Sequence, residues 1–323
     1  MALKILSSKK SIFFTLTALV LLILLLFSTG LIQKYEKREK SFILETRIIS
    51  MDYFINSVDE DMERGVYISG YRALLALEDY ITINGRYVNN AKTRFKEAFL
   101  NGTINNSEAN MMINNTFLNW TEKMKTEALK TDIIVNFTIN DVRLYQIDPW
   151  NVLIDLNVSL DVSDKKQTAS WKKEKIVTSE ISILGFEDPI YTIETGNNLL
   201  VSINTTPYEN NYTNGTDVTN LLDHMHKSYY SAFTGAPSFL MRFEGNFSKD
   251  PNGIESIVDK NELGLYVPVF KPRSSIDYLY WGHPSVRGEK IQGMPTDFVM
   301  DNETNAELNQ THLQKYQLSG LII

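Results

Sequence analysis

Residues 12–32, IFFTLTALVLLILLLFSTGLI, hold no charged side chain, and no other stretch constrains the chain as much. The run is leucine-rich and free of proline, so it favours helix, because straight-chain apolar residues lose little rotamer freedom there. At about 1.5 Å per residue such a helix is about 30 Å long, the thickness of a bilayer's hydrocarbon core. A cleavable export signal has a shorter apolar region, about 7–15 residues, followed by small residues. Ser28-Thr29-Gly30 has that small character, but the run before it is already at the upper limit. Length therefore favours a retained span over residues 12–32, with residues 1–11 as a cytoplasmic or leader segment.

Charge supports a membrane rather than a nucleic acid as the partner. Of the net −7, residues 1–40 carry +5 (Lys4, Lys9, Lys10, Lys34, Lys37, Arg38 and Lys40 against Glu36 and Glu39), leaving −12 for the rest. An acidic body repels phosphate backbones. Basic residues lie on both sides of the span, so the positive-inside bias alone does not orient it. Cysteine is absent. An exported fold of this kind has neither disulfides nor thiolate metal sites to hold it, which suits an archaeon or bacterium.

Sequons supply the orientation. Asn-x-Ser/Thr occurs at Asn101, Asn105, Asn114, Asn119, Asn136, Asn157, Asn204, Asn211, Asn214, Asn246, Asn302 and Asn309. With 28 asparagines and 49 serines and threonines among 323 residues, chance places about four such triplets, so composition explains a third of the twelve. In NVLIDLNVSLDVS, Val152, Ile154, Leu156, Val158, Leu160 and Val162 alternate with polar residues, a period of two that puts Asn157 on the wet face of a strand. In DIIVNFTIND, Asn136 lies opposite Ile133, Val135, Phe137 and Ile139. Everything beyond residue 32 is expected outside the cell, carrying N-glycans.

All nine prolines fall at or after Pro149, so long helices are expected before it and strands, turns and short helices after it. Leu44, Ile48, Met51, Ile55, Val58, Met62 and Val66 recur at spacings of three and four, one apolar stripe of an amphipathic helix that runs on to Asn84-Gly85. No breaker separates it from the span, so one helix of more than about 60 residues is expected, with Gly30 and the Gly65–Gly70 region as its kink points. Helices at 87–100 and 107–130 follow. Three strands, the third carrying Val177, Ile181 and Ile183, form an antiparallel meander. A helix with Asp217 as N-cap is expected over 217–233, and strands over 275–281 and 298–300. The organisation is thus a span at 12–32, a helical stalk at 33–131 and a β-rich head at 132–323, with a sub-boundary at 189–216. The fold class is α+β: a transmembrane helix continuing into a long amphipathic helix, then an extracellular head with an antiparallel sheet and short helices.

The chain has no nucleophile elbow, phosphate-binding loop or H-E-x-x-H helix. His224 and His226 stand two apart on a helical pattern, pointing about 200° apart, and read as solvated or rim residues rather than metal ligands. Asp59, Glu60, Asp61 and Glu63 diverge around the helix and read as a solvated acidic face. The aromatics of DYLYWGH read as core. No catalytic, metal or cofactor residues are assigned.

Lys9-Lys10-Ser11 ahead of the apolar run, the long amphipathic extension and the sequon-rich head together resemble archaeal type IV pilin-like proteins over about the first 80 residues. The resemblance implies processing after Ser11, a mature N-terminus at Ile12, and self-association along the stripe from Leu44 to Val66. The C-terminal part, with IDYLYWG, resembles archaeal membrane-anchored surface proteins of unknown function. The expected role is non-enzymatic: an exported, anchored, N-glycosylated structural or adhesion protein, pilin-like in plan, with homo-oligomer or filament partners. The alternatives are a single-pass receptor ectodomain that binds a ligand or glycan, and an ectoenzyme without a recognisable motif.

Overall fold

A computed structural model describes residues 9–302, 304–305 and 310–323; for residues 9–12 and 304–305 it describes the backbone alone. Helix α1 (Lys9–Asn84) is a single element of 76 residues, about 114 Å long at 1.5 Å per residue. It ends where Gly85 takes φ 60° and returns its N–H to the Ile81 carbonyl, the left-handed exit that glycine permits without a Cβ penalty. Its N-terminal apolar stretch has the length and composition to cross a membrane, and none of the other described residues covers it.

From Met51 onward the same helix becomes the spine of the head. Met51, Ile55, Val58, Met62 and Val66 are buried, and Ala73, Leu74, Leu77 and Ile81 continue the line; Leu44 and Ile48, the first two members of the expected stripe, stay exposed. Against this face pack α2 (Ala91–Asn101), α3 (Phe117–Lys130) and a three-stranded antiparallel sheet of β3 (Ile133–Asp148), β4 (Asn151–Asp164) and β5 (Ser170–Ser182), in the order β3-β4-β5. A small hairpin, β1 (Thr103–Ile104) with β2 (Ser107–Glu108), precedes α3. The even-numbered residues from Val152 to Val162 and Val177, Ile181 and Ile183 face the core as the alternation requires. Of the glycines expected as kink points, Gly65 and Gly70 mark close approaches, while a Cβ on Gly30 would have nothing within 4 Å. A Cβ on Gly70 would lie 2.1 Å from Ile154 Cδ1, and one on Gly65 would lie 3.0 Å from the Trp120 ring.

After β5 come α4 (Pro189–Glu194), α5 (Thr219–His226), β6 (Tyr230–Ala232), α6 (Phe239–Phe243), β7 (Ile254–Ser256), α7 (Lys260–Leu263), α8 (Asp277–Gly282), β8 (Glu289–Lys290), β9 (Val299–Met300), β10 (Thr304–Asn305), β11 (Gln310–Thr311) and α9 (His312–Lys315). The strands β6 and β7, β8 and β9, and β10 and β11 pair antiparallel in twos. This part builds a second core around Tyr212, Leu221, Met225, Ile257, Ile276, Phe298 and Tyr316.

Four expected elements differ. The helix expected from 107 starts at Phe117, where Thr116 and Asn119 form a reciprocal capping box after Asn114 has taken φ 59°. The helix expected from 87 starts at Ala91, behind Asn90 at φ 54°. The helix expected over 217–233 stops at His226, since Ser228 takes φ 48° and the chain turns into β6; Asp217 lies one place before the N-cap, Val218, and accepts from the Thr219 N–H. The strand expected over 275–281 is largely α8. Every residue from Ser274 to Tyr280 is buried, so alternation there carries no information about faces.

Candidate functional site

Of the twelve sequon asparagines, eleven lie among the described residues and none is buried; Asn309 lies outside them. Asn136 is exposed on β3, and Asn157 is half-buried on the outer face of β4, where Asn140 Nδ2 donates to its Oδ1 at 3.1 Å. Asn105 Nδ2 donates to the Tyr80 hydroxyl at 2.8 Å, and Asn119 is held in the capping box that starts α3. The side chains of Ser11 and Ile12 lie outside the description.

Of the two histidines expected as solvated or rim residues, one is and one is not. His226 is exposed and pairs with Asp259 at 2.7 Å, as a rim residue does. His224 instead is wholly buried beside Tyr212 and Tyr316, with Nδ1 2.9 Å from the Thr206 hydroxyl. Burial, reinforced by the nearby Lys315 ammonium, pushes its pKa down to about 3, so it is neutral. His312 is buried between two carboxylates, Nδ1 at 2.8 Å from Asp301 and Nε2 at 3.1 Å from Glu255. Burial alone would lower its pKa, but Glu255 and Asp301 outweigh that and raise it to about 10, so both ring nitrogens donate. Burial would conversely raise Glu255, yet Lys315 and His312 hold it down to about 2. Lys315 Nζ donates to Glu255 Oε1 at 2.7 Å and the Tyr316 hydroxyl donates to the same oxygen at 2.9 Å.

This cluster adjoins a second one centred on Arg242, whose side chain is 0% exposed. Its guanidinium, carried on α6, donates to Asp188 ahead of α4, to Asp277 at the start of α8 (2.9 Å) and to the Ile254 carbonyl on β7. The Tyr230 hydroxyl donates to Asp188 at 2.6 Å and Ser256 to Asp277 at 3.0 Å. Burial raises the Asp277 pKa, opposed by Arg242 and assisted by the like charge of Asp188. Neighbouring β7 residues thus feed both clusters: Ile254 and Ser256 face Arg242, and Glu255 faces His312. The network lies at the seam between the two hydrophobic cores and ties the C-terminal part to the body built on α1. Its described side chains hold one another in a closed set of ion pairs and hydrogen bonds, the chemistry of a structural tie. Lys260 is used similarly, its ammonium donating to the carbonyls of Lys271, Arg273 and Asp297 at 3.0, 2.6 and 2.9 Å.

Three of the four acidic residues of the run on α1 reach the head, and Glu60 is exposed. Asp59 pairs with Lys173, Glu63 pairs with Lys175 at 3.3 Å, and Asp61 accepts from Trp120 Nε1 at 3.0 Å. Among the described residues no group of three or more His, Asp or Glu side chains could hold a metal ion.

A concavity lies at the base of the head. A cleft of about 770 Å³ opens between α1 (Lys40, Ile43, Leu44, Arg47) and the underside of the sheet (Asp132, Asp164, Lys165, Lys166, Thr168). Its floor is apolar and its rim is cationic overall. Arg47 closes the inner end, donating Nε to the Asp164 carboxylate and Nη2 to the Asp132 carbonyl. Leu44 is twelve residues past Ile32, so the cleft sits about 18 Å along the helix from the end of the apolar stretch.

Neither the network nor the cleft was found from sequence. One signal for the first was visible: Arg242 stands inside Phe-Leu-Met-Arg-Phe, a charge in a run otherwise fit only for burial. The cleft joins residues more than 80 positions apart and left no local trace. No protein-family model matches the chain, and neither a curated protein nor a solved structure is similar to it.

Proposed function

We propose that the protein is a single-pass, membrane-anchored surface protein whose N-glycosylated head stands outside the cell on a rigid helical stalk, in a structural or adhesive role. The observation that carries this reading is the continuity of α1. Its uncovered apolar end has the dimensions of a bilayer, and the same helix, without interruption, becomes the spine of the head's core. Eleven unburied sequon asparagines on the body beyond it support an extracellular placement. The pilin-like plan belongs to this reading as a stalk and head; the burial of Met51, Ile55, Val58, Met62 and Val66 against the protein's own sheet leaves that part of the stripe unavailable to a neighbouring subunit. Glycopeptide mass spectrometry of native membranes tests the orientation. Occupancy at Asn136 and Asn157 is expected, and a head with every sequon unmodified and shielded from external protease overturns it. N-terminal sequencing settles the leader, since a chain starting at Ile12 supports processing and one starting at Met1 excludes it.

A second reading, a receptor ectodomain, rests on the cleft at the head's base, whose volume and mostly apolar lining are those of a ligand site. The test is binding of amphiphilic anions to the solubilised full chain. Loss of affinity in Lys166→Glu is expected, and unchanged affinity overturns this reading.

A further inference from the structure

The stalk between the apolar stretch and the head has a second apolar face. Positions 32, 35, 39, 42, 46, 49 and 53 follow spacings of three and four, and five of them are Ile32, Tyr35, Phe42, Ile49 and Tyr53. At about 100° per residue this face is centred about 180° from the stripe that the head covers. All five are exposed, Tyr35, Phe42 and Tyr53 to 71%, 68% and 69%. Of the other two, Thr46 turns its hydroxyl back to the Phe42 carbonyl at 2.9 Å, which leaves its methyl outward. Glu39 is the one charge, bracketed in sequence by Arg38 and Lys40. From residue 35 onward the stripe lies beyond the apolar stretch that ends at Ile32, and an apolar stripe this regular on a helix in water is covered by something.

We infer that a second copy of this chain covers it, the two stalks pairing in parallel as a short left-handed coiled coil. The inference rests on the membrane-anchored reading and deepens it. A spacing that averages 3.5 residues is the pattern of helix pairing, not of packing on a sheet. Two copies inserted by the same span are parallel and present the same residues at the same height. Glu39 then meets the Arg38 of its partner, which makes its place in the seam self-complementary and fixes the register. The heads lie on the outer sides of the pair, so the two bodies, each carrying −12 beyond residue 40, are kept apart while the stalks touch.

The chain has no cysteine, so oxidative cross-linking of single-cysteine variants of the full chain in its membrane has no background. Phe42→Cys and Ile49→Cys should give a product of twice the monomer's mass, several-fold more abundant than that from Lys37→Cys and Ser41→Cys, which are exposed on other faces. Adding Ile49→Glu to Phe42→Cys should remove most of that product, and residue 49 lies outside both cores. Equal cross-linking at all four positions, none at 42 and 49, or a product of any other mass overturns the pairing. Alkaline carbonate extraction of the same membranes tests the anchor separately. Release into the soluble fraction overturns the anchored reading, while the cross-linking pattern of the released chain is scored on its own.

Discussion

Replacing Arg242 by methionine tests the claim that the buried network is a tie between two cores. The guanidinium is fully enclosed and holds two equally enclosed carboxylates, Asp188 and Asp277, and the Ile254 carbonyl. Methionine fills similar space but leaves two like charges without a counterion. Removing one partner of a buried ion pair costs about 3–5 kcal/mol, a large share of the 5–15 kcal/mol that typically separates native from unfolded. The loss should also acquire a characteristic pH dependence. Burial and Asp188 already raise the pKa of Asp277 while Arg242 lowers it, so without the arginine it rises further and the folded state takes up a proton that the unfolded state lacks. Stability then falls as pH rises above the unfolded carboxyl range, by about 1.4 kcal/mol per unit for one proton. Between pH 5 and pH 7 that is about 3 kcal/mol lost by the variant, against about half as much by the native protein, whose Asp277 is raised only to about 6 and titrates within that range. Urea unfolding of the detergent-solubilised full chain, followed by tryptophan fluorescence, reads this directly, because Trp281 packs edge-on against Tyr191 at 4.7 Å and Tyr191 contacts Ser256 in the network. The triple variant Asp188→Asn, Arg242→Met, Asp277→Asn should recover most of the loss and its pH slope. A single variant within about 1 kcal/mol of native, or one whose deficit does not change with pH, would refute the reasoning.

Four further outcomes are expected. Glu255, held at about 2 against an ordinary 4.5, contributes stability above pH 4.5 that is lost as pH falls towards 2, about 3 kcal/mol. His312, raised from 6.5 to about 10, contributes below 6.5 and loses its contribution as pH rises through 10; this is the same ion pair seen from its other end, so His312→Gln should flatten the alkaline side of a urea-midpoint profile. Gly253→Ala should be far more damaging than Gly70→Ala in thermal melts, since its Cβ would lie 2.1 and 2.4 Å from the Ala236 and Phe233 carbonyl oxygens, whereas at Gly70 it meets the movable end of Ile154. Thr116→Ala removes the half of the α3 capping box in which its hydroxyl accepts from the Asn119 N–H, leaving Asn119 Oδ1 its bond from the residue-116 backbone N–H, and should cost about 1 kcal/mol by denaturant titration.

Legibility followed the range of the interactions. The meander was readable because β3, β4 and β5 each keep one face wet, so Val152 to Val162 alternate and the alternation survives in the sequence. The spine was readable because α1 has neither proline nor a turn cluster. What covers each of its faces was not, since periodicity reports that a stripe is buried and not by what. The C-terminal part was poorly readable for the opposite reason. Where Ser274 to Tyr280 are all buried, helix and strand patterns coincide, and the decision passes to partners such as Arg242 that are distant in sequence. His224 and His312 show the same limit, one made neutral and one charged by surroundings that no local window contains.

The position of the first core residue decides how the head can move relative to the apolar end of α1. Between Gly30 and Gly65 the chain has neither glycine nor proline, and a helix bends sharply only at such residues, at bulges or at inserted groups. Arg47 clamps the start of β3 and the end of β4 to the helix just before Met51 begins the core. No hinge therefore intervenes, and a rotation or tilt of the head is transmitted to the apolar end of α1 as a rigid-body motion. The cleft lies at this joint, with α1 as one wall and the β4–β5 turn as the other. A ligand lodged there would press on the Arg47 clamp, the contact that sets the angle between head and stalk. A tethered adhesin with a flexible linker would have no such coupling. An occupied cleft should thus alter protection of the Arg47–Asp164 contact before it alters the head's core, and hydrogen exchange at the first residues of β3 would record it.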